Sequence, residues 1–217
     1  MKKDADEPTQ GQSAKKRPYR MAVRGRRLQE TRERILKAAY ELWIDCPYDE
    51  MSLDAVAQRA GVSRQTVHRQ FGSKDELIIA VTNWRGVMEE EAVQELAPGD
   101  IDNAVKALVA RYEAIGDAIV RFLELEGRHQ AIDHLLHKGR EGHKAWIEHI
   151  FGPWLPSHPH GARRRATLEF YAATDVTVWK LLRRDHDQSA SETEAIILRL
   201  VNGVLRSYAA STGEDKE

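Results

Sequence analysis

From Leu28 onward, the apolar residues of this 217-residue chain recur at intervals of three and four, and no segment alternates apolar with polar between turn signals. That period belongs to amphipathic helices and excludes a sheet of any size, so the fold class is all-α. Helices are predicted at about 28–44, 53–60, 64–70, 74–96, 101–126, 130–138, 141–151, 162–185 and 190–210. The stops have physical causes. Asp45-Cys46-Pro47 ends the first helix, because the residue before a proline is pushed out of the helical region. Pro98-Gly99-Asp100 breaks the chain and offers Asp100 as a cap. The run GPWLPSHPHG at 152–161 contains three prolines and cannot continue a helix.

Charge is unevenly divided along the chain. Residues 1–75 hold 16 Lys and Arg against 11 Asp and Glu, net +5, and the remainder is net −6. A basic head on an acidic body predicts that only the head meets a polyanion. Within the head, residues 1–14 are polar and aperiodic and read as disordered. The next stretch, KKRPYRMAVRGRR at 15–27, carries seven basic residues and no acid. It reads as a flexible arm, 1–27 overall, either a solvated tail or a segment that condenses onto phosphates, with Arg24 among its contacts. Cys46 is the only cysteine, so no intrachain disulfide is possible, and a small, partly buried thiol is its plain reading. No apolar run reaches the roughly 20 residues that a membrane helix needs, so a cytoplasmic protein with no membrane partner is expected.

The segment from Ser52 to Phe71 carries the most information. Ser52 is placed to cap one helix, Val56 and Ala60 face inward, and small Ala57 permits close helix approach. Gly61 supplies the positive φ of a tight turn, Ser63 caps a second helix, and Val67 again faces inward. Arg64, Gln65, Thr66, His68 and Arg69 face outward, and all bear hydrogen-bonding groups, as a helix in a DNA major groove requires. A helical corner with a polar outer face has the same apolar pattern; the adjacent basic arm favours DNA.

The helix TRERILKAAYELW, followed by MSLDAVAQRAGVSRQTVHRQFGSKDELIIAV, resembles the TetR family of transcriptional regulators over about 28–82. The resemblance implies a three-helix helix-turn-helix domain at 28–80 and a helical effector-binding and dimerisation domain at 81–217. It implies that Ser63 to Gln70 form the recognition helix, with Arg64, Gln65 and Thr66 nearest the bases. It further implies that Ser52, His68, Gln70 and Lys74 lie at the DNA surface, His68 and Gln70 departing from the residues usual in the family. The implied protein is no enzyme and has no cofactor. It is a regulator, in the expected form a repressor, that binds a near-palindromic duplex operator as a homodimer through 162–185 and 190–210, and a small-molecule inducer releases it. An effector-free dimeric autoregulator is the alternative.

By the same resemblance the effector pocket lies among the helices at 101–126, 130–151 and 162–185. Its candidate walls are Tyr112, Phe122, Trp146, Phe170 and Thr174, residues that at helical spacing equally suit plain core. Asp175, an acid within an apolar stretch, suits either a polar ligand or a capping hydrogen bond. Eight histidines crowd the body. His134 and His137 are spaced for a shared metal, but solvated imidazoles are the simpler reading, and no metal site is assigned.

Overall fold

The computed structural model describes residues 16–157 and 160–211, and the stretch 1–14 lies outside them. Its helices are α1 (Lys16–Asp45), α2 (Leu53–Ala60), α3 (Arg64–Phe71), α4 (Lys74–Gln94), α5 (Ile101–Leu123), α6 (Gln130–Ile150), α7 (His160–Thr174), α8 (Val176–Lys180) and α9 (Ala190–Ser211). A π-helical turn, Leu181–Asp185, prolongs α8. No strand occurs among the described residues, and the all-α expectation holds.

Several boundaries differ from the sequence reading. The first helix begins at Lys16 rather than near 28, so residues 16–27 continue α1 instead of forming an irregular arm. Arg, Lys, Met and Ala are strong helix formers, and Pro18 falls in the first turn, where its missing N–H costs nothing. The two pieces expected at 130–138 and 141–151 are one helix; Gly139 and Gly142 weaken it without ending it. The expected 162–185 helix breaks at Asp175, whose carboxylate accepts from the Thr177 amide at 2.9 Å and its hydroxyl at 2.6 Å. Asp175 therefore caps α8, and that local bond competes with helix continuation.

Two cores hold the molecule together, and α5 and α6 run through both. The head core joins Ile35, Ala39 and Trp43 of α1 to Val56, Val67, Leu77 and Ile78, and takes in Phe122 of α5 and Ile132 and Leu135 of α6. The body core joins Val105 and Tyr112 of α5 to Trp146 and Ile147 of α6, Phe170 of α7, Trp179 of α8, and Ile197 and Val201 of α9. The edge of Trp43 meets Phe122 at 5.4 Å, and Arg121 of α5 donates to the Ile44 carbonyl at 2.7 Å. The helices of the body thus reach into the head, and α4 runs unbroken past residue 80, where the sequence reading divided them.

Trp179 fastens α8 to α5. It is fully buried over Gly116, where any Cβ would overlap its ring, and its indole N–H donates to Glu113 at 2.7 Å. Glu113 also receives a two-point hydrogen bond from Arg183, at 2.7 and 2.8 Å. A buried indole with its N–H satisfied and a paired carboxylate beside it is a stable unit.

Candidate nucleic-acid interface

Each landmark of α2 and α3 is built locally. The Ser52 hydroxyl accepts from the Ala55 amide at 3.1 Å, satisfying one of the free donors at the start of α2. Gly61 ends that helix at φ 63°, in the left-handed region that glycine reaches without strain. The chain turns back at once: the Val62 amide donates to Ala57 O at 3.0 Å. Ser63 then caps α3, accepting from the Thr66 amide at 3.2 Å. Val56, Ala57, Ala60, Val67 and Phe71 are buried, which fixes the angle between the two helices.

The opposite face of α3 is open. Arg64, Gln65, His68 and Arg69 are exposed, and the first two line a shallow hollow with His68. Thr66 is half-buried, with its hydroxyl 2.9 Å from that of Ser63. Arg64 has one weak partner, Asp54, at 3.4 Å with both side chains about two-thirds exposed, a contact that costs little to exchange for another acceptor. Arginine and glutamine projecting side by side from a capped helix can reach the acceptor and donor edges of stacked bases. Arg24 is exposed on α1, ahead of the head.

Two residues expected at this surface are placed otherwise. Both amide atoms of Gln70 are buried without a hydrogen-bond partner, so its side chain is directed inward rather than toward the exposed face. Lys74 donates to the Tyr48 carbonyl at 3.0 Å and lies 3.9 Å from that ring. The Tyr48 hydroxyl bonds the Asp75 carboxylate, and its ring packs 4.9 Å from His129. Burial and that carboxylate push the Tyr48 pKa up. The start of α4 is also closed by its own residues. Ser73 and Glu76 exchange hydrogen bonds as a capping box, at 2.9 and 3.1 Å, and two acids lie in the first turn. One residue the sequence reading passed over is Arg32 of α1, whose guanidinium lies 4.4 Å over the Phe71 ring at the end of α3.

The body gathers some of the expected pocket residues and separates others. The Tyr112 hydroxyl donates to Thr174 O at 3.0 Å, and the Thr174 hydroxyl donates to Phe170 O at 2.7 Å. Phe170 stacks on Phe151 at 4.2 Å. Phe122 is elsewhere, in the head core, because it lies ten residues, nearly three turns, beyond Tyr112 on α5. The residue missed is His143. Its Nε2 is 2.9 Å from the Thr174 hydroxyl oxygen, and its ring lies 4.4 Å from Tyr171 and 5.7 Å from Trp146. Burial pushes its pKa down to about 4; Asp175 opposes the shift and Arg111 adds to it. A neutral Nε2–H therefore donates to Thr174. The signal for His143 was its register with Trp146, Ile147 and Ile150 at three, four and seven residues. His134 and His137 have different partners, Asn83 at 3.4 Å and Glu141 at 3.2 Å. Tyr112, Trp146, Phe170 and Thr174 are all buried, so this region is closed to solvent.

Residues 35–81 match the family described as bacterial regulatory proteins, tetR family. The chain is 43% identical over 68 residues to the HTH-type transcriptional activator FasR of Mycolicibacterium smegmatis, covering 30% of this chain and 31% of FasR. It is 29% identical over 126 residues to the HTH-type transcriptional regulator TcmR of Streptomyces glaucescens, covering 58% and 52%. These matches span about a third to a half of the curated relatives' length. Among solved structures, the transcriptional regulator FadR from Bacillus subtilis, in complex with stearoyl-CoA, superposes with a TM-score of 0.56 at 18% identity over 78% of this chain and 96% of that one. The last similarity is one of fold.

Proposed function

The chain belongs to the TetR family through its N-terminal DNA-binding domain, and from that premise we propose that it is a ligand-responsive repressor that binds a near-palindromic operator as a homodimer. The observation that carries the reading is the open face of α3: Arg64, Gln65, His68 and Arg69 exposed on a helix whose other face is buried and whose start is capped. A second copy is needed because one short helix reads only a few base pairs, and paired half-sites multiply specificity. The surface available for it lies on α7 and α9, where Leu168 and Leu200 are about half exposed beside exposed Ala172 and Gly203. Small residues among leucines suit close packing of helices from two protomers.

The proposed effector site is the body region around Tyr112, His143, Trp146, Phe170 and Thr174. Its apolar rings with a few inward polar groups suit a mostly apolar molecule with one polar handle. Helix α6 supplies the coupling. Ile132 and Leu135 near its start pack in the head core, and His143 and Trp146 lie on the same rod in the body. A ligand that parts His143 from Thr174 displaces α6 and the head with it, and so changes the separation of the two α3 helices. It acts only to the extent that it binds the displaced state better. The Gly99 amide donates to Ile150 O at 2.9 Å, which ties the Pro98-Gly99 turn to the end of α6.

The closed packing of Tyr112, Phe170 and Thr174 also supports a second reading, an effector-free dimer. Selection of bound duplexes from a random pool, followed by footprinting, tests operator binding: a two-fold site is expected, and a single asymmetric half-site overturns the dimer. A compound screen read by thermal stabilisation and by operator release decides between the two readings.

A further inference from the structure

An acid stands beside the basic start of α3. Asp54 lies in the first turn of α2, and its Oδ2 is 3.4 Å from Nε of Arg64, the first residue of α3. A carboxylate next to a helix that enters duplex DNA repels the phosphates of every sequence alike. The ordinary use of an acid in a first turn is to complement the free amides there. Ser52 already caps α2 by accepting from the Ala55 amide, and among the described residues no backbone amide donates to Asp54.

The effect on Arg64 follows from the atom that the carboxylate faces. A guanidinium is planar, and its N–H groups form a rigid fork. A carboxylate at Nε takes one edge of that fork and leaves Nη1 and Nη2 to present two parallel donors, the pattern that matches O6 and N7 of guanine. Both members of the pair stand on fixed supports. Ser52 caps α2 two residues before Asp54, Ser63 caps α3 immediately before Arg64, and buried Val56, Ala60 and Val67 set the angle between the helices. Arginine loses much rotamer freedom when it docks, so a carboxylate held at Nε removes part of that cost before DNA arrives. In water the pair adds little, because both side chains are about two-thirds exposed. Against bases, where water is excluded, the same attraction is stronger.

We infer that Asp54 is a positioning residue for base recognition: from α2 it holds the guanidinium of Arg64 by Nε so that the Nη edge meets a guanine. It thereby lowers affinity for every duplex while sharpening preference at one base pair. The inference rests on the reading of Arg64 as a base contact. A carboxylate can also read DNA directly, by accepting from N4 of cytosine, and the preference it controls then belongs to a base pair of its own.

The test uses the full chain with a duplex selected from a random pool, its single-base variants, and a random duplex of equal length, all read by fluorescence anisotropy. Asp54→Ala is expected to lower discrimination at the base pair that Arg64 controls by about two- to tenfold. The same change is expected to tighten binding to the random duplex by up to about fivefold. Asp54→Glu keeps the carboxylate on a longer arm and is expected to retain most of the discrimination. In the Arg64→Ala background, Asp54→Ala is expected to alter no base preference, since no guanidinium remains to be held. Thermal denaturation follows the stability of each variant. A change in stability with an unchanged base panel marks Asp54 as part of the helix start alone and overturns the inference. So does a loss of preference at a base pair other than that of Arg64, the result of direct reading by the carboxylate. If Arg64→Ala itself relaxes no position, the base-contact reading of Arg64 fails first, and the inference falls with it.

Discussion

The recognition helix and the body core treat polar side chains in opposite ways. On α3 the guanidinium, amide and imidazole groups of Arg64, Gln65 and His68 are exposed, and the contact of Arg64 with Asp54 is weak. In the body, Glu113, Trp179 and Arg183 form one bonded unit, and Tyr112, His143 and Thr174 form another. Polar groups left in water keep their full capacity for an outside partner, while polar groups taken out of water must find each other or the fold loses stability. The head is thus prepared for a ligand that arrives from outside. The body can admit one only by exchanging bonds it already has.

The largest expected effect tests that closed body. Trp179→Ala removes a fully buried indole and strips Glu113 of a donor, and a cost of about 3–5 kcal/mol is expected in urea denaturation. Gly116→Ala drives a methyl into the same ring and should cost about 1–3 kcal/mol. Base preference in a duplex selection should remain unchanged for whatever fraction stays folded. A loss under about 1 kcal/mol for Trp179→Ala means that the body is loosely packed and the contrast fails.

Acid sharpens the contrast further. The folded pKa of His143, about 4, lies below the ordinary histidine value of 6.5. Between those two values the unfolded chain binds the proton and the folded chain does not, so stability rises with pH across that window. The contribution is fully present above pH 6.5 and is lost as the pH falls toward 4, on the order of 1–3 kcal/mol in all. His143→Gln should flatten that part of the stability profile. A variant that keeps the full slope between pH 4 and 6.5 assigns the proton uptake to other groups.

The same contrast explains what was legible in the sequence. The turn at Gly61 and the caps at Ser52 and Ser63 are set by residues within three or four positions, and each was readable from a short window. The gathering of Tyr112, His143 and Thr174 joins α5, α6 and the end of α7 over separations of 31 and 62 residues, which no local period reports. The placements of Phe122 and Gln70 escape a local period for a related reason. Helical spacing says that a residue faces inward or outward, but not which of two cores lies inside or whether a long amide folds back. The break at Asp175 was the intermediate case: its capping chemistry was visible, but the apolar run around it outweighed that in a reading by period.

Arg64→Ala should reverse the pattern of the Trp179 change. Its partner Asp54 is exposed, so stability should shift by less than about 0.5 kcal/mol. Binding to the selected duplex should weaken by about 1–3 kcal/mol, with preference relaxed at one position in each half-site. Fluorescence anisotropy over a panel of single-base variants checks both parts. A uniform loss across the panel makes Arg64 a phosphate contact instead of a base contact.

Ser63 lies on the boundary between the two regimes, since its hydroxyl caps α3 from within and the residue is exposed at the face proposed for DNA. Ser63→Ala deletes the cap and should cost about 1 kcal/mol of stability. Ser63→Asp separates the two roles, because aspartate accepts from the Thr66 amide as well as serine does and favours the positive end of the helix. Stability should return to within about 0.5 kcal/mol of the unaltered protein, while the new carboxylate, facing DNA, repels its phosphates and weakens binding at every sequence. Thermal denaturation and anisotropy on the same two variants read both quantities. If Ser63→Asp binds duplex as tightly as the unaltered protein, the N-terminus of α3 does not face the phosphates, and the docking orientation of the whole head has to be turned.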